Sequence, residues 1–357
     1  MAREGDSRPI ARVTPQEETT GDFDTIAAAG VDIIMHPRSL SRVLWVVSAA
    51  LVIFMAADAA AQRGGGRGRG PLPDPLVKED ATVKLSDHTY VIPDGNVPLV
   101  PNVGIVVGSR ATLVIDPGLG RRNGERVLRE VARISGNTEL YVASTHFHAE
   151  HTTGYLAFPP ATSKYVNSTI QEAEFAEGGP QQIKAFSGFS PLAGELLKDA
   201  TGRRADVTFE REHRLDLGGV HVRFLVVGPT HTRGDTGFFV EEDRVLFSGD
   251  VVMNNSFLAA NQGSSMKAWL AAFDAFDAMG PTTIVPAHGP VGDGSLIATN
   301  RRVMEGVQAR ARELKAMGRS ADEAAMAIQE EFTAMHPDWG RANGLAAAAR
   351  SAYAEAP

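Results

Sequence analysis

The chain of 357 residues contains no cysteine. No disulfide can form, no thiolate can ligate a metal, and no cysteine can carry a lipid anchor. Any metal must then be held by histidine and carboxylate, donors that suit zinc, iron or manganese and not an iron–sulfur cluster. Positive charge is also short: 35 Lys and Arg stand against 43 Asp and Glu, for a formal charge of −8. Without a basic field to gather a polyanion, nucleic acid is not the expected partner. Long hydrophobic runs are missing as well. The most apolar stretch, residues 43–57, is roughly 15 residues against the roughly 20 of a spanning helix. The remainder, 43% hydrophobic and 22% charged, is ordinary for a globular protein.

Residues 1–34 are polar and aperiodic, and read as a disordered or spurious N-terminal extension. A basic start follows (Met35, Arg38, Arg42), then the apolar run, then Ala56-Ala57-Asp58-Ala59-Ala60-Ala61. These are the three parts of a secretory signal peptide, so residues 35–61 are expected to be removed on export. Translation would then begin at Met35 and the mature chain near Gln62, in the periplasm or outside the cell. Residues 62–75, Gly/Arg-rich and then carrying Pro71, Pro73 and Pro75, are expected to be a linker. The folded domain is expected over 76–357, with no membrane span after signal cleavage. Oligomeric state is not legible.

Along that domain, residues 83–93 are strand-like, and 103–107 with 111–115 form a hairpin across Gly108-Ser109-Arg110. Val127, Leu128, Val131 and Ile134 fall at helical spacing. Residues 140–143 are a short buried strand. Between 169 and 197 the pattern predicts short helical pieces broken at Gly178-Gly179-Pro180 and again at Gly188 to Pro191. Phe175, Phe186 and Phe189 in that stretch pack under a loop or line a substrate lid. Further strands are expected at 220–227, 237–240, 244–247 and 282–285, with a helix after Ser264 burying Trp269, Leu270, Phe273 and Phe276. From about 295 the chain is helical, with Ser320 and Glu323 as a capping box and a break at Pro337.

The strand at 140–143 leads into Thr145-His146-Phe147-His148-Ala149-Glu150-His151-Thr152-Thr153-Gly154. In an extended segment His146 and His148 leave on one face, whereas adjacent Glu150 and His151 point differently. Four donors leaving one loop in two directions suit two neighbouring metal ions better than one closed tetrahedral site. Three later strands end in the same way, at His231 to Asp235, at Gly249-Asp250 and at His288-Gly289. Each time an apolar strand stops, a His or Asp stands beside a glycine, which is how a site is built at one edge of a packed sheet. Five of the ten histidines lie in these loops. The others, His36, His88, His213, His221 and His336, read as ordinary surface or core residues.

The pattern His146-x-His148-x-Glu150-His151, His231-Thr232-x-Gly234-Asp235, Gly249-Asp250, His288-Gly289 resembles the metallo-β-lactamase superfamily over about residues 76–288. The resemblance implies an α/β fold, a four-layer αββα sandwich, here with extra C-terminal helices. It implies two zinc ions, one on His146, His148 and His231, the other on Glu150, His151 and His288, with Asp250 bridging. The all-His/carboxylate set is similar to that of glyoxalase II-type members. The family usually has Asp where this chain has Glu150. The extra methylene displaces the carboxylate by roughly an ångström or more on an unchanged backbone, beyond what a metal–oxygen bond tolerates. Either the loop adapts, or Glu150 leaves the second metal and acts on the water alone.

Water on such an ion ionises near pH 7. The implied function is an exported zinc hydrolase that cleaves a small amide, lactone, ester or thioester, a β-lactam included. Glu150 or Asp250 would orient the water and take its proton. A mononuclear iron oxidoreductase of the persulfide-dioxygenase kind and a non-catalytic metal-binding protein are the alternatives. Asn254, Asn255 and Ser256 either donate to substrate or satisfy a turn. Asp116 and Asp235 are expected to brace the ligand loops.

Overall fold

In a computed structural model, residues 73–357 are described, apart from Gln262. The expected N-terminal extension, the signal segment and residues 62–72 of the linker lie outside the described residues.

Two sheets carry the domain. The first runs in chain order: β1 (Val83–Lys84), β2 (Thr89–Ile92), β3 (Val103–Val107), β4 (Ala111–Ile115), β5 (Glu139–Ala143), β6 (Ser163–Ser168) and β7 (Val207–Phe209). The second contains β8 (Glu212–Asp216), β9 (His221–Val226), β10 (Thr236–Val240), β11 (Val245–Gly249), β12 (Thr283–Pro286) and β13 (Gly292–Asp293), in the spatial order 13-12-11-10-9-8.

Side chains alternate across a strand, and here both faces of the central strands of each sheet are buried. Leu113 and Ile115 of β4, with Tyr141 and Ala143 of β5, meet Phe224, Phe238, Val245 and Phe247 between the sheets. Their neighbours Val114 and Val142 point the other way, onto Val127 and Val131 of α1 (Gly120–Ile134). On the second sheet Phe239, Leu246 and Ile284 face outward, onto Trp269, Phe273 and Phe276 of α5 (Met266–Met279). The same outer layer contains α6 (Ser295–Ala316), α7 (Ala321–Met335) and α8 (Ala342–Glu355). Three apolar interfaces therefore separate four layers, and the αββα sandwich with additional C-terminal helices is present.

Strand direction decides where the loops open. β4 and β5 are parallel, as are β11 and β12. β9 is antiparallel to β10, which is antiparallel to β11, so β9 runs with β11. Asp116 follows β4, His146 follows β5, His231 follows β9, Asp250 follows β11 and His288 follows β12, each at the C-terminal end of its strand.

Several expectations are corrected in detail. Residues 83–93 form two strands, because Leu85 and Ser86 turn to bond the Thr89 carbonyl. The break expected at Gly178-Gly179-Pro180 is absent, and α3 (Thr169–Ser187) runs through Pro180, whereas the break at Gly188 to Pro191 is present and separates α3 from the short α4 (Pro191–Leu197). A proline costs the helix one hydrogen bond and some crowding. Burial of Gln171, Glu174, Gly179, Gln182 and Phe186 and the Ser168 cap hold the helix through it. The sequence reading did not resolve β6, β7, β8 and β13; polar Ser163–Ser168 and charged Glu212–Asp216 carry no apolar run to mark them. Ser320 and Glu323 do form the capping box at the start of α7. Among the described residues no helix is long and apolar enough to cross a membrane.

Candidate metal centre

The histidine loop leaves β5 and turns at once into the short helix α2 (Ala149–Thr152), with His148 at its N-cap. All of His146, His148, Glu150 and His151 are buried. Ligating atoms of His146, His148 and His231 lie within 4.8 Å of one another, and so do those of Glu150, His151 and His288. The two triads adjoin, with the His146 and His151 rings 4.1 Å apart between centroids. Glu150 Oε1 is 3.7 Å from His151 Nε2. The helical turn brings Glu150 within reach of His151 and His288, the placement that a second ion on this triad requires.

Four of the five rings are held by the nitrogen that faces away from the triads. His151 Nδ1 pairs with Asp116 Oδ2 at 3.0 Å, His288 Nδ1 with the Val100 carbonyl at 3.0 Å, and His231 Nδ1 with the Ala259 carbonyl at 2.5 Å. His146 Nδ1 lies 3.1 Å from Thr145 Oγ1. A backbone carbonyl or carboxylate fixes the tautomer with the proton on Nδ1 and leaves Nε2 as the donor. His148 is turned the other way, its Nδ1 3.3 Å from His231 Nε2. The Nε2 atoms of His146, His151 and His288, and Oδ1 of Asp250, are buried with no hydrogen-bond partner. Buried polar atoms are nearly always satisfied, so four such atoms converging on one place fit divalent ions with nitrogen and oxygen donors.

Asp250 sits beside both triads, with Oδ2 3.6 Å from His231 Nε2. The same oxygen accepts a 2.6 Å hydrogen bond from Nη1 of Arg341, and both side chains are almost fully buried. Gly249, at φ +61°, makes the turn that delivers Asp250; a Cβ there would lie 2.9 Å from Thr145 Cβ.

Burial pushes His146, His148 and His288 well below the ordinary imidazole range, reinforced by the neighbouring rings and, for His148 and His288, by Arg341. They are neutral, as ligands must be. Burial would also lower His151, but Asp116 and Glu150 outweigh it and raise it to about 9. For Asp250 burial acts upward and loses to Arg341 and the histidines, which hold the carboxyl well below its usual range.

Asp116 takes Thr145 N at 2.7 Å and Thr145 Oγ1 at 2.8 Å besides His151, so one carboxylate braces the start of the loop and one ligand. Asp235 accepts from the Thr230 hydroxyl and from Thr232 N at 2.9 Å and Oγ1 at 2.6 Å, which closes the His231 loop. Two further braces and Arg341 escaped the sequence reading. Gln171 Nε2 lies 3.0 Å from the Ser144 and Gly234 carbonyls, tying the His146 and His231 loops. Asn102 Nδ2 donates to the Pro286 and Gly289 carbonyls at 2.8 and 2.7 Å, around His288. Neither has a local sequence signal, because each is defined by what it ties together.

A cavity of ≈ 640 Å³ adjoins the second triad, lined by His288, Arg341, Asn254, Asn255 and Ser256 together with apolar Val97 and Met253. Phe186 is buried in a core cluster and Phe189 packs against it, so the packing reading holds for these two. His213 stacks near Phe209, His221 Nδ1 pairs with Glu242 at 2.6 Å, and His336 stacks on Trp339, all outside the centre.

The family model for the metallo-beta-lactamase superfamily matches residues 96–288. The chain is 26% identical over 248 residues to the atrochrysone carboxyl ACP thioesterase of Aspergillus terreus (strain NIH 2624 / FGSC A1156), covering 66% of each protein. It is 27% identical over 168 residues to the acyl-coenzyme A thioesterase MBLAC2 of Gallus gallus, covering 44% of this chain and 59% of that one. In structure it is similar to the inverting sec-alkylsulfatase Pisa1 from Pseudomonas sp., with a TM-score of 0.59 at 16% identity over 76% of this chain and 49% of the other. The chain thus spans less than two thirds of the length of these relatives. With the family match covering more than half its length, the two-sheet sandwich and the paired triads at one edge, the chain belongs to the metallo-β-lactamase superfamily.

Proposed function

We propose that the protein is a zinc-dependent hydrolase of small acyl substrates, with a thioester as the preferred bond. The observation that carries this reading is the pair of buried triads, whose donor atoms are oriented by hydrogen bonds and open beside a cavity. The thioester preference is supported by the two relatives named as thioesterases. Esters, lactones, amides and β-lactams react by the same addition to a carbonyl carbon and remain the comparison substrates.

In this reading His146, His148 and His231 hold one ion, Glu150, His151 and His288 the other, and Asp250 stands between them. Bound zinc supplies water that ionises near neutral pH and polarises the substrate carbonyl. The residues do the rest. Asp116, Val100 and Ala259 keep His151, His288 and His231 in the tautomer that presents Nε2 inward. Glu150 or Asp250, the carboxylates at the centre, would orient that water and take its proton. Asn254, Asn255 and Ser256 line the cavity, with Asn254 Nδ2 donating to the Pro290 carbonyl at 3.1 Å, and in this reading they meet the substrate there. The Glu150, His151 and His288 triad favours two ions over the mononuclear iron alternative.

The test is a panel of acyl thioesters, oxygen esters, lactones, β-lactams and sulfate esters, run on zinc-loaded protein and again after chelation. Thioester cleavage that disappears with the chelator and returns with zinc is expected. Turnover that survives metal removal defeats the proposal. We also propose export, supported by the basic, apolar and small-residue order of residues 35–61. A mature N-terminus near Gln62 is expected, and one before Met35 defeats it.

A further inference from the structure

We propose that Arg341 is a positioning residue of the metal centre, so that the C-terminal helical segment beyond the matched family region completes the site. The inference rests on the two-ion reading above.

Arg341 lies 91 residues from Asp250 in sequence and more than fifty beyond His288, where the family match ends. It is 5% exposed, and its guanidinium holds Asp250 Oδ2 at 2.6 Å. Oδ1 of the same carboxylate, the oxygen without a protein partner, is left for the ions. A carboxylate anchored through one oxygen is restrained in its rotation, so the other is directed toward one place. A charge-assisted bond to a planar guanidinium sets that orientation more tightly than a neutral donor would.

The backbone shows that this placement is built in. Arg341 adopts φ +59° and ψ +33°, a left-handed conformation that disfavours a residue with a Cβ. It is held there by Gly340, whose N–H donates to the Asn255 carbonyl and whose carbonyl accepts from Phe257 N, both at 3.0 Å. Trp339 stacks on His336 and packs on Phe257, clamping the turn from the other side. The segment also touches a second ligand's support. Gly344, in the first turn of α8, approaches so closely that a Cβ would lie 2.4 Å from the Leu258 carbonyl and 3.0 Å from Ala259 Cα. Ala259 is the residue whose carbonyl holds His231 Nδ1. One end of one helix thus supports Asp250 directly and His231 through its neighbour.

The test measures metal, not turnover. Wild type, Arg341→Lys, Arg341→Met, Asp250→Asn and the double variant Asp250→Asn/Arg341→Met are titrated with zinc against a chromophoric chelator. Thermal melts in excess chelator report the fold, and cobalt-loaded absorption spectra report the ligand field. We expect Arg341→Met to weaken zinc binding by roughly 10–100-fold, the usual consequence of removing a partner that orients a ligand. Arg341→Lys should recover part of the loss, and the cobalt spectrum should change in both. In the Asp250→Asn background the Arg341→Met change should weaken binding no further, because its effect passes through Asp250. Unchanged or tighter zinc binding in Arg341→Met, or equal losses in both backgrounds, overturns the inference. A wild type that binds no zinc refutes the two-ion reading itself, which separates the two failures. If Arg341→Met does not fold, Arg341→Lys and the cycle in its background decide.

Discussion

Asp116→Asn isolates what a single proton does at the centre. The side chain keeps its shape, and its remaining oxygen can still accept from Thr145 N, now 2.7 Å away. The new amide nitrogen takes the place of Oδ2, facing Thr145 Oγ1 at 2.8 Å and His151 Nδ1 at 3.0 Å. An amide N–H can only donate. To satisfy it in a site with Asp116 and His151 both buried, His151 must offer a bare Nδ1, which moves its proton to Nε2. Nε2 is the atom that faces Glu150 and His288, and a protonated nitrogen cannot ligate. The same wrong-tautomer logic applies wherever a carboxylate that orients a catalytic histidine becomes an amide. Loss of an orienting partner costs about 10–100-fold in metal affinity, or about 1.4–2.7 kcal/mol. The loss should fall chiefly on one of two ions. Chelator-competition titration resolves the two binding steps, and melts in chelator confirm the fold. Two undiminished steps would refute the reasoning that Asp116 acts through the His151 tautomer.

In excess chelator, wild type should lose stability, by about 2.7 kcal/mol for each ion previously held at a hundred times its Kd, read as a drop in melting temperature that zinc reverses. Glu150→Asp should lower the metal count from two toward one, since the shorter acid withdraws from a triad that the α2 turn has fitted to glutamate; elemental analysis showing two ions would contradict this. Chelated protein should carry a His151 contribution to stability that is full below its unfolded pKa near 6.5 and lost as pH rises through about 9, because its folded pKa is raised. Denaturant melts across that window measure it, and the slope should shrink in Asp116→Asn, where Glu150 and Asp250 remain to raise His151. Gln171→Leu should cost roughly 2–4 kcal/mol in the same melts, as the buried Ser144 and Gly234 carbonyls lose a shared donor.

The parts of the molecule that could be read from sequence are those written in short range. Apolar β-branched runs marked β3, β4 and β5 because both faces of these strands meet apolar neighbours, and β9 because Val222 and Phe224 alternate into the core. The ligands were visible because histidine and aspartate at the C-terminal ends of parallel strands have no packing reason to be there. β6 and β8 were not, since Ser163–Ser168 and Glu212–Asp216 are polar and gain their place by pairing with a neighbour. Pro180 misled for a related reason: a local cost was overridden by what the helix buries. Arg341 left no trace at all. It stands in Trp339-Gly340-Arg341, a stretch with neither periodicity nor motif, and its role exists only once Asp250 is beside it.

That contrast bears on how the C-terminal helices relate to the centre. Were they only a cover for the second sheet, their apolar faces would suffice. Leu345, Ala348, Ala349 and Ala352 of α8 do join Trp269, Phe273 and Ile328 in one core. Small alanines let α8 lie close to its neighbours, which fixes the helix by packing and leaves little freedom for its first turn. The N-cap position of such a helix is a rigid platform, and a charged side chain there costs heavily unless paired. It is paired, with the one carboxylate that both triads adjoin. The outer helical layer and the metal centre are therefore mechanically linked, through Arg341 to Asp250 and through Gly344 and Ala259 to His231. A substitution that loosens α8, such as Gly344→Val against the Leu258 carbonyl, should register as weaker zinc binding before it registers as unfolding. Zinc titration and thermal melts on that variant, taken side by side, show which comes first.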